Sequence, residues 1–514
     1  MPARRSADFS RSLLKNFLCC VLLLAVFSLP AWEQEPAPSA PSPQTPASQP
    51  SPAPAPSAQS GKAQSQQPAG PITKQQEKEL FHSVNQILQF ASDDTGLPIR
   101  HPVKRKLITR REVTAYVEDR MKEDKDTQRL ERSQAVLVKF GLLPPNYDLH
   151  REYLRLLQEQ VAAFYDAKTK TVNLLDWVPP DQQKPVLAHE LTHALQDQYI
   201  GLEKWQLAGG REDDAPLPDN QEEVVEEAQA AREAVAEGQA MIVLLDYSMA
   251  PLGMSVLKAP EVVESVKAGM GDSSDSPIFA AAPMYLRESL VMPYSFGASF
   301  VSYVLQHKGK DGAFAGVLEK PPVSTRQVME PETYLNHEVV EPLKVPDLDQ
   351  LVGSKYERYD FGGIGEFDIY LLAKLYAPEK DPKNYYTNWR GGYYLVVHPK
   401  GAPSSEVALL YMSHWDSPQA AQEFAAVYEK YVPNRYPRWS KQDSAPATDS
   451  AGGTSRWREG PESERVLVSQ DNSDLLILEG FDQSTAERLS GALLHAGSSH
   501  EAHEPASGHN SLPN

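Results

Sequence analysis

The residues with the clearest chemical potential are two histidines and a glutamate in the segment Leu187–Gln196. His189, Glu190 and His193 form the pattern His-Glu-x-x-His. Residues four apart lie on the same face of an α-helix, so both imidazoles can reach one metal ion. The Glu190 carboxylate lies where it can accept a proton from a metal-activated water without being a ligand itself. The pattern therefore predicts a hydrolytic zinc site that still needs a third protein ligand.

The pattern needs support from its surroundings. With 13 histidines in 514 residues, a random arrangement would contain one such pentapeptide in about one sequence in forty. Two features support the metal interpretation: a helix predicted from Pro180 to about Gln198, and an export signal at the N-terminus. In the alternative interpretation, His189 and His193 are ordinary histidines of an amphipathic helix.

The third ligand cannot come from the end of the same helix. A histidine or aspartate ligand six residues after His193, preceded by a glycine, would require Gly at 196, but this sequence has Gln196 and Tyr199. The next histidine is His307. The search therefore moves to carboxylates on the downstream helix predicted from about 221 to 247.

Two acids on that helix, Glu233 and Glu237, lie among small residues, and a carboxylate in an apolar stretch requires a partner. Ala234 and Gly238 would allow this helix to approach another backbone closely. We favour Glu237 as ligand because it leads into the apolar run 241–245. Glu233 is the alternative ligand, or the partner of a ligating histidine. A salt bridge with Arg232 on the helix surface is the interpretation without a metal.

These residues resemble a known family. His189-Glu190-x-x-His193, followed by Glu237-Gly238-x-Ala240, is similar to the gluzincin branch of the zincin metallopeptidases, in particular to uncharacterised secreted bacterial members. The resemblance includes Phe164-Tyr165-Asp166-x-x-Thr169 and the strand after it. It implies Zn²⁺ on His189, His193 and Glu237, with Glu190 as general base. It also implies an edge strand that pairs with an extended substrate.

Zincins usually supply a tyrosine or histidine that stabilises the oxyanion. Tyr294 is our candidate; it lies in Pro293-Tyr294-Ser295-Phe296-Gly297, a segment that is predicted to open a helix. His307 is a weaker candidate. The alternative for Tyr294 is a tyrosine that anchors the start of a helix.

Composition limits the possible functions. The chain is 41% hydrophobic and carries a net charge of −19, without a basic stripe, which argues against a nucleic-acid partner. The only cysteines, Cys19 and Cys20, are adjacent near the N-terminus. Neither a thiol nucleophile nor a cysteine zinc site is therefore expected in the body of the protein.

The chain divides by composition. Residues 1–31 have a positive segment, a 13-residue apolar run and a small-residue cleavage site, which predicts a signal peptide. An uncleaved N-terminal membrane anchor is the alternative. Residues 32–72 are predicted to be a Pro/Ala/Ser-rich disordered linker, and 497–514 a disordered tail. The protein is therefore expected to be exported, to the periplasm or the extracellular space.

The folded part is predicted to be α+β. Residues 73–380 are interpreted as a mostly helical zincin-like metallopeptidase domain with a small edge-strand sheet. Residues 385–496 are interpreted as a small α+β domain with the order ββαββα. The predicted function is an exported zinc peptidase that acts on proteins or peptides. The alternative is a non-catalytic envelope scaffold derived from a zincin.

Overall fold

The computed structural model describes residues 71–121, 124–160, 163–207, 219–270, 276–338, 342–401, 406–436, 447–448, 454–458 and 465–496. The predicted signal peptide 1–31, the tail 497–514 and nearly all of the linker 32–72 lie outside these ranges. Within them, no helix combines the length and the apolar character that crossing a bilayer requires.

The first part of the described chain is mostly helical. Its helices are α1 (Lys74–Thr95), α2 (Arg110–Met121), α3 (Asp124–Lys139), α4 (Leu149–Gln160), α5 (Pro180–Ile200), α6 (Leu202–Gln206), α7 (Asp219–Met249), α8 (Glu261–Gly269), α9 (Pro277–Ala281), α10 (Met284–Asp311), α11 (Val317–Glu319), α12 (Thr325–Met329) and α13 (Pro331–Leu335). A π-helical turn, Gly312–Gly316, follows α10.

A small sheet lies beside these helices. Its strands are β1 (Lys104–Ile108), β2 (Phe164–Asp166) and β3 (Thr171–Leu175), in the order β1-β3-β2. Strands β2 and β3 form a hairpin: β2 runs antiparallel to β3, and Lys170 in the turn has a φ of 55°. β1, which pattern analysis did not find, pairs with β3 in parallel. β2 is therefore an edge strand that immediately precedes α5.

Helices α7 and α10 cross with their backbones in contact. A Cβ on Gly238 would overlap the carbonyl oxygen of Gly297, and one on Gly297 would overlap that of Ala234. Only glycine at the crossing permits this approach. The close approach expected of α7 is thus confirmed, and α10 is its partner.

The expected helix start at Pro293 is wrong. Helix α10 begins at Met284, and Pro293 lies inside it. A proline interrupts the backbone hydrogen bonds of a helix, but Leu290, Met292 and Tyr294 on either side of it are buried, and packing maintains the helix there.

The C-terminal part is built on a seven-stranded sheet. Its strands are β4 (Tyr356–Gly363), β5 (Trp389–Pro399), β6 (Ala408–Trp415), β7 (Ala447–Thr448), β8 (Thr454–Arg458), β9 (Val466–Asp471) and β10 (Asp474–Glu479). The order is β4-β5-β6-β10-β9-β8-β7, and all neighbours are antiparallel. The helices of this part are α14 (Leu348–Val352), α15 (Glu366–Tyr376), α16 (Lys383–Tyr386), α17 (Pro418–Arg435) and α18 (Gln483–Ala496).

The protein is therefore α+β, as predicted at that level. One apolar core runs from the N-terminal helices into one face of the seven-stranded sheet. A second core lies between the opposite face and helices α14 and α18. The elements of the predicted ββαββα order are present as β5, β6, α17, β9, β10 and α18. The sheet also includes three strands outside that order: β7 and β8, which lie between α17 and β9, and β4, which precedes residue 385 in the chain.

Candidate metal centre

Helix α5 positions the two histidines. Pro180 stands at its first turn, and Gly201 ends it with a left-handed φ of 72°, as is common at helix C-termini. The middle of the helix is buried on all sides, so it lies in the core rather than on the surface. His189 and His193 lie one turn apart there, with Nε2 atoms 3.1 Å apart.

Helix α7 brings Glu237 to the same point. Its Oε2 atom lies 3.1 Å from Nε2 of His189 and 3.4 Å from Nε2 of His193. Among the described residues, these three are the only group of three or more histidines, cysteines and acids whose donor atoms converge closely enough for one metal ion. The contact between α7 and α10 continues beside it at Gly238.

The donor set fits a divalent cation. In a tetrahedral zinc site with bonds near 2.0–2.1 Å, neighbouring ligand atoms are about 3.3 Å apart. The three separations, 3.1, 3.1 and 3.4 Å, match that value. Glu237 Oε1 is buried and has no hydrogen-bond partner among the described residues. Two imidazole nitrogens and a carboxylate could therefore hold a metal ion.

A buried amide network orients His193. Its Nδ1–H donates to Oε1 of Gln196 at 2.9 Å, which makes Nε2 the ring nitrogen that a metal ion could bind in place of a proton. The Gln196 amide nitrogen donates to the Ala236 carbonyl at 3.0 Å and to Oε1 of Gln239 at 2.9 Å. Gln239 in turn donates to carbonyl oxygens of the π-helical turn, at Ala313 and Phe314.

Sequence reasoning missed this network. Two features of the sequence indicate it. Gln196 stands three residues after His193 on the same helical face, and Gln239 stands two residues after Glu237 among small and apolar residues. Long amides in apolar surroundings require partners.

Strand β2 holds the Glu190 side chain. The backbone N–H of Tyr165 donates to Glu190 Oε2 at 2.8 Å. The Tyr165 hydroxyl donates to Oδ2 of Asp197 at 2.8 Å, and Lys170 forms an ion pair with the same oxygen at 2.6 Å. The edge strand is thus attached to α5 at two points, one of which is the candidate general base.

The four ionisable groups of the site have pKa values that shift in different directions. Burial raises the pKa of Glu190 to about 8. Burial lowers the pKa of His189. Burial is the largest single influence on His193 and Glu237 as well, and it opposes their charged forms. Attraction between the two groups outweighs it, together with smaller contributions from Glu190 and Gln196 at His193 and from His189 at Glu237, so that the pKa of His193 is raised to about 9 and that of Glu237 is lowered to about 2. The cluster therefore already contains a carboxylate that a cation can pair with.

The other predicted residues take different positions. The Tyr294 ring stacks on His189, with centroids 6.0 Å apart. Glu233 is buried and does not belong to the three-residue group. The pKa of Tyr153 is raised mainly by burial and next by the negative charge of Glu233. His307 is exposed near the end of α10, where Nδ1–H donates to the Tyr303 carbonyl. Arg232 donates to the Ala228 carbonyl of its own helix.

The site is enclosed in this conformation. His189 and Glu190 are 1% exposed, and His193 and Glu237 are 0% exposed. An enclosed polar cluster experiences stronger electrostatic interactions than an open one. A substrate can enter only if part of the surrounding structure moves.

The comparison with known protein families gives a match only in the C-terminal part of the chain. Residues 352–490 match a family described as a domain of unknown function (DUF8575). The match begins at the last residue of α14 and ends within α18, so it includes the seven-stranded sheet and none of the metal-centre residues. No curated protein and no solved structure matches the chain.

Proposed function

We propose that this protein is a zinc-dependent peptidase of the gluzincin type. The observation that supports it best is the convergence of His189, His193 and Glu237 on one point, with Glu190 on the same helix as the histidines. A site with two histidines and a glutamate leaves a fourth zinc position for water, as catalytic zinc sites do. The same three residues without Glu190 would bind a metal but would lack a base.

In the proposed reaction, bound zinc would polarise the scissile carbonyl and acidify the attacking water. Glu190 takes one proton from that water while its oxygen bonds to the carbonyl carbon. The carboxyl group then gives the proton to the leaving nitrogen as the C–N bond breaks. Burial raises the pKa of Glu190 to about 8, and positive charge beside it would favour the carboxylate that this role requires.

The substrate would add to the edge of β2. An extended peptide can extend a sheet by pairing with a free edge, and β2 is the edge strand nearest to Glu190. Because Tyr165 N–H on that strand already donates to Glu190, admission of the peptide would require the two to separate. In this proposal Tyr294, stacked on His189, stabilises the oxyanion.

The test replaces the base and leaves the ligands in place. We expect Glu190→Gln to retain wild-type zinc content by elemental analysis and to cleave a peptide library at least about 100-fold more slowly. Asp181→Asn, at an exposed position of the same helix (89% exposed side chain), is the control and should cleave normally. Cleavage by Glu190→Gln at the wild-type rate would disprove the mechanism.

One observation favours a second candidate, the non-catalytic scaffold. The ligands are enclosed, as they are in structural zinc sites. If wild-type protein carries one zinc ion that raises its melting temperature but cleaves no library peptide, the scaffold is correct. Export remains part of both candidates, and N-terminal sequencing of the secreted protein tests it.

A further inference from the structure

A cavity is bounded by residues of α8, α9, α10 and α15, none of which belongs to the candidate metal centre. Its volume is about 460 Å³, which is within the range for small-molecule sites. Apolar and aromatic side chains supply much of its wall, including Phe279, Met292, Phe296 and Tyr370. None of these residues belongs to the proposed catalytic machinery.

The charged groups of this cavity do not balance. Three cations, Lys267, Arg287 and Lys374, face it together with one acid, Glu288. Lys374 Nζ lies 2.5 Å from Glu288 Oε1, and the Tyr370 hydroxyl donates to the other carboxylate oxygen at 2.8 Å. Both carboxylate oxygens of Glu288 therefore already have partners on α15.

The remaining two cations form no close ion pair with an acid of the described residues. Lys267 lies over the Phe296 ring, 4.0 Å from its centroid, and its Nζ is 3.4 Å from the Ser299 hydroxyl. That hydroxyl donates to Glu264, the nearest acid on the same helix as Lys267. Arg287 Nε is buried without a hydrogen-bond partner among the described residues. Glu264 thus acts on Lys267 through Ser299 and through charge at a distance, without a direct ion pair.

Partly buried cations without a direct ion pair among the described residues are costly, and an anion in the cavity could pair with both. Arginine suits carboxylates and phosphates because its planar group donates two parallel hydrogen bonds. The aromatic wall suits a flat apolar body. In a chain with a net charge of −19, an excess of cations among the described residues that line one cavity is a local feature that the average composition does not explain.

We propose that this cavity binds a small organic anion with an aromatic body, whose anionic group pairs with Arg287 and Lys267. The aromatic body packs against Phe296 and Phe279. The proposal is independent of the peptidase function, since it uses no residue of the metal centre.

The test compares two probes that differ only in charge. N-acetyl-L-phenylalanine carries a carboxylate beside an aromatic ring, and N-acetyl-L-phenylalaninamide lacks the charge. We expect the acid to bind the full chain at least tenfold more tightly than the amide, measured by calorimetry. Phenyl phosphate serves as a second arm that distinguishes phosphate from carboxylate preference; tighter binding of either anion than of the amide supports the site.

Variants assign the binding to this cavity. Arg287→Gln and Lys267→Gln should each weaken binding of the better anion at least tenfold, with melting temperatures near that of the wild type. Lys308→Gln, at an exposed position of α10, should bind as the wild type does. Equal affinity for acid and amide, or unchanged affinity in both cavity variants, would overturn the proposal. If Arg287→Gln does not fold, Lys267→Gln and the probe pair still decide the question.

Discussion

At the candidate metal centre, the orientation of the His193 ring depends on residues that do not contact Nε2, its proposed ligand atom. His193 is held through Gln196, and Gln196 through Gln239 and the π-helical turn. Two amides in series have only one arrangement in which every donor meets an acceptor. The network therefore selects the tautomer of His193 that presents Nε2 to a cation.

We expect Gln196→Leu to weaken zinc binding about 10–100-fold, since Nδ1–H of His193 would lose its acceptor and the ring its orientation. The dissociation constant is measured by competition with a fluorescent chelator. Gln182→Leu, at an exposed position of the same helix, provides the comparison. An unchanged dissociation constant in Gln196→Leu would show that packing alone orients the ring.

At the level of elements, the crossing of α7 and α10 determines where Glu237 lies. The helices meet at Gly238 and Gly297, one residue from the proposed ligand and three from Tyr294. A side chain at either glycine would move the helices apart and so displace both functional residues.

Gly238→Ala should therefore destabilise the protein by about 1–3 kcal/mol through overpacking and also reduce zinc affinity. Chemical denaturation and metal titration measure the two effects. Gly491→Ala is the matched control, because it lies inside α18 with open space around its Cβ position. There the same change should be neutral or stabilising, by up to about 1 kcal/mol.

A pair of carboxylates joins α1 to α7. Burial and the neighbouring Asp94 raise the pKa of Asp246 to about 7, and burial raises that of Asp94, which lies 3.6 Å from Lys310. Asp246 also accepts a hydrogen bond from the Val256 backbone N–H. In the folded protein the pair therefore retains a proton that the unfolded chain would release near pH 4.

Because the folded-state pKa is raised, this contribution to stability is complete below about pH 4 and is lost as the pH rises through about 7. Asp246→Asn mimics the protonated state and should recover stability on the order of 2 kcal/mol at pH 8 relative to wild type. Melting temperatures from pH 5 to 8 provide the test. If wild type and variant show the same pH dependence, the pair does not share a proton.

At the scale of the whole molecule, a buried ion pair connects the C-terminal sheet to the N-terminal helices. Arg435 of α17 forms a two-point pair with Glu479 of β10, at 2.7 and 3.1 Å. The same guanidinium donates to the Lys139 carbonyl of α3. Nearby, the Tyr376 hydroxyl donates to the Phe140 carbonyl at 2.7 Å.

Glu479→Gln should lower the free energy of unfolding by about 3–5 kcal/mol, since it leaves Arg435 buried without its counter-charge. The comparison is Glu379→Gln, which removes an exposed pair with Lys430 and should change the stability by less than about 1 kcal/mol. Denaturation curves of both variants test this. Similar losses in the two would indicate that the buried pair contributes no more than a surface one.

Local pattern was sufficient for several elements of this protein. The spacing of His189, Glu190 and His193 is a property of one helix, so helical periodicity alone predicts that they share a face. The hairpin of β2 and β3 and the strands β5, β6, β9 and β10 also follow from local alternation and turn residues.

Other features depend on contacts between residues far apart in the chain, and periodicity contains no information about them. The sequence could rank Glu237 above Glu233, but only the crossing of α7 and α10 places Glu237 against the histidines. Tertiary structure also decides that Gln239 helps to orient His193 and that Tyr165 binds Glu190. It likewise joins β4 to the seven-stranded sheet and encloses the site. Each arises because packing brings together side chains that local propensity leaves unrelated.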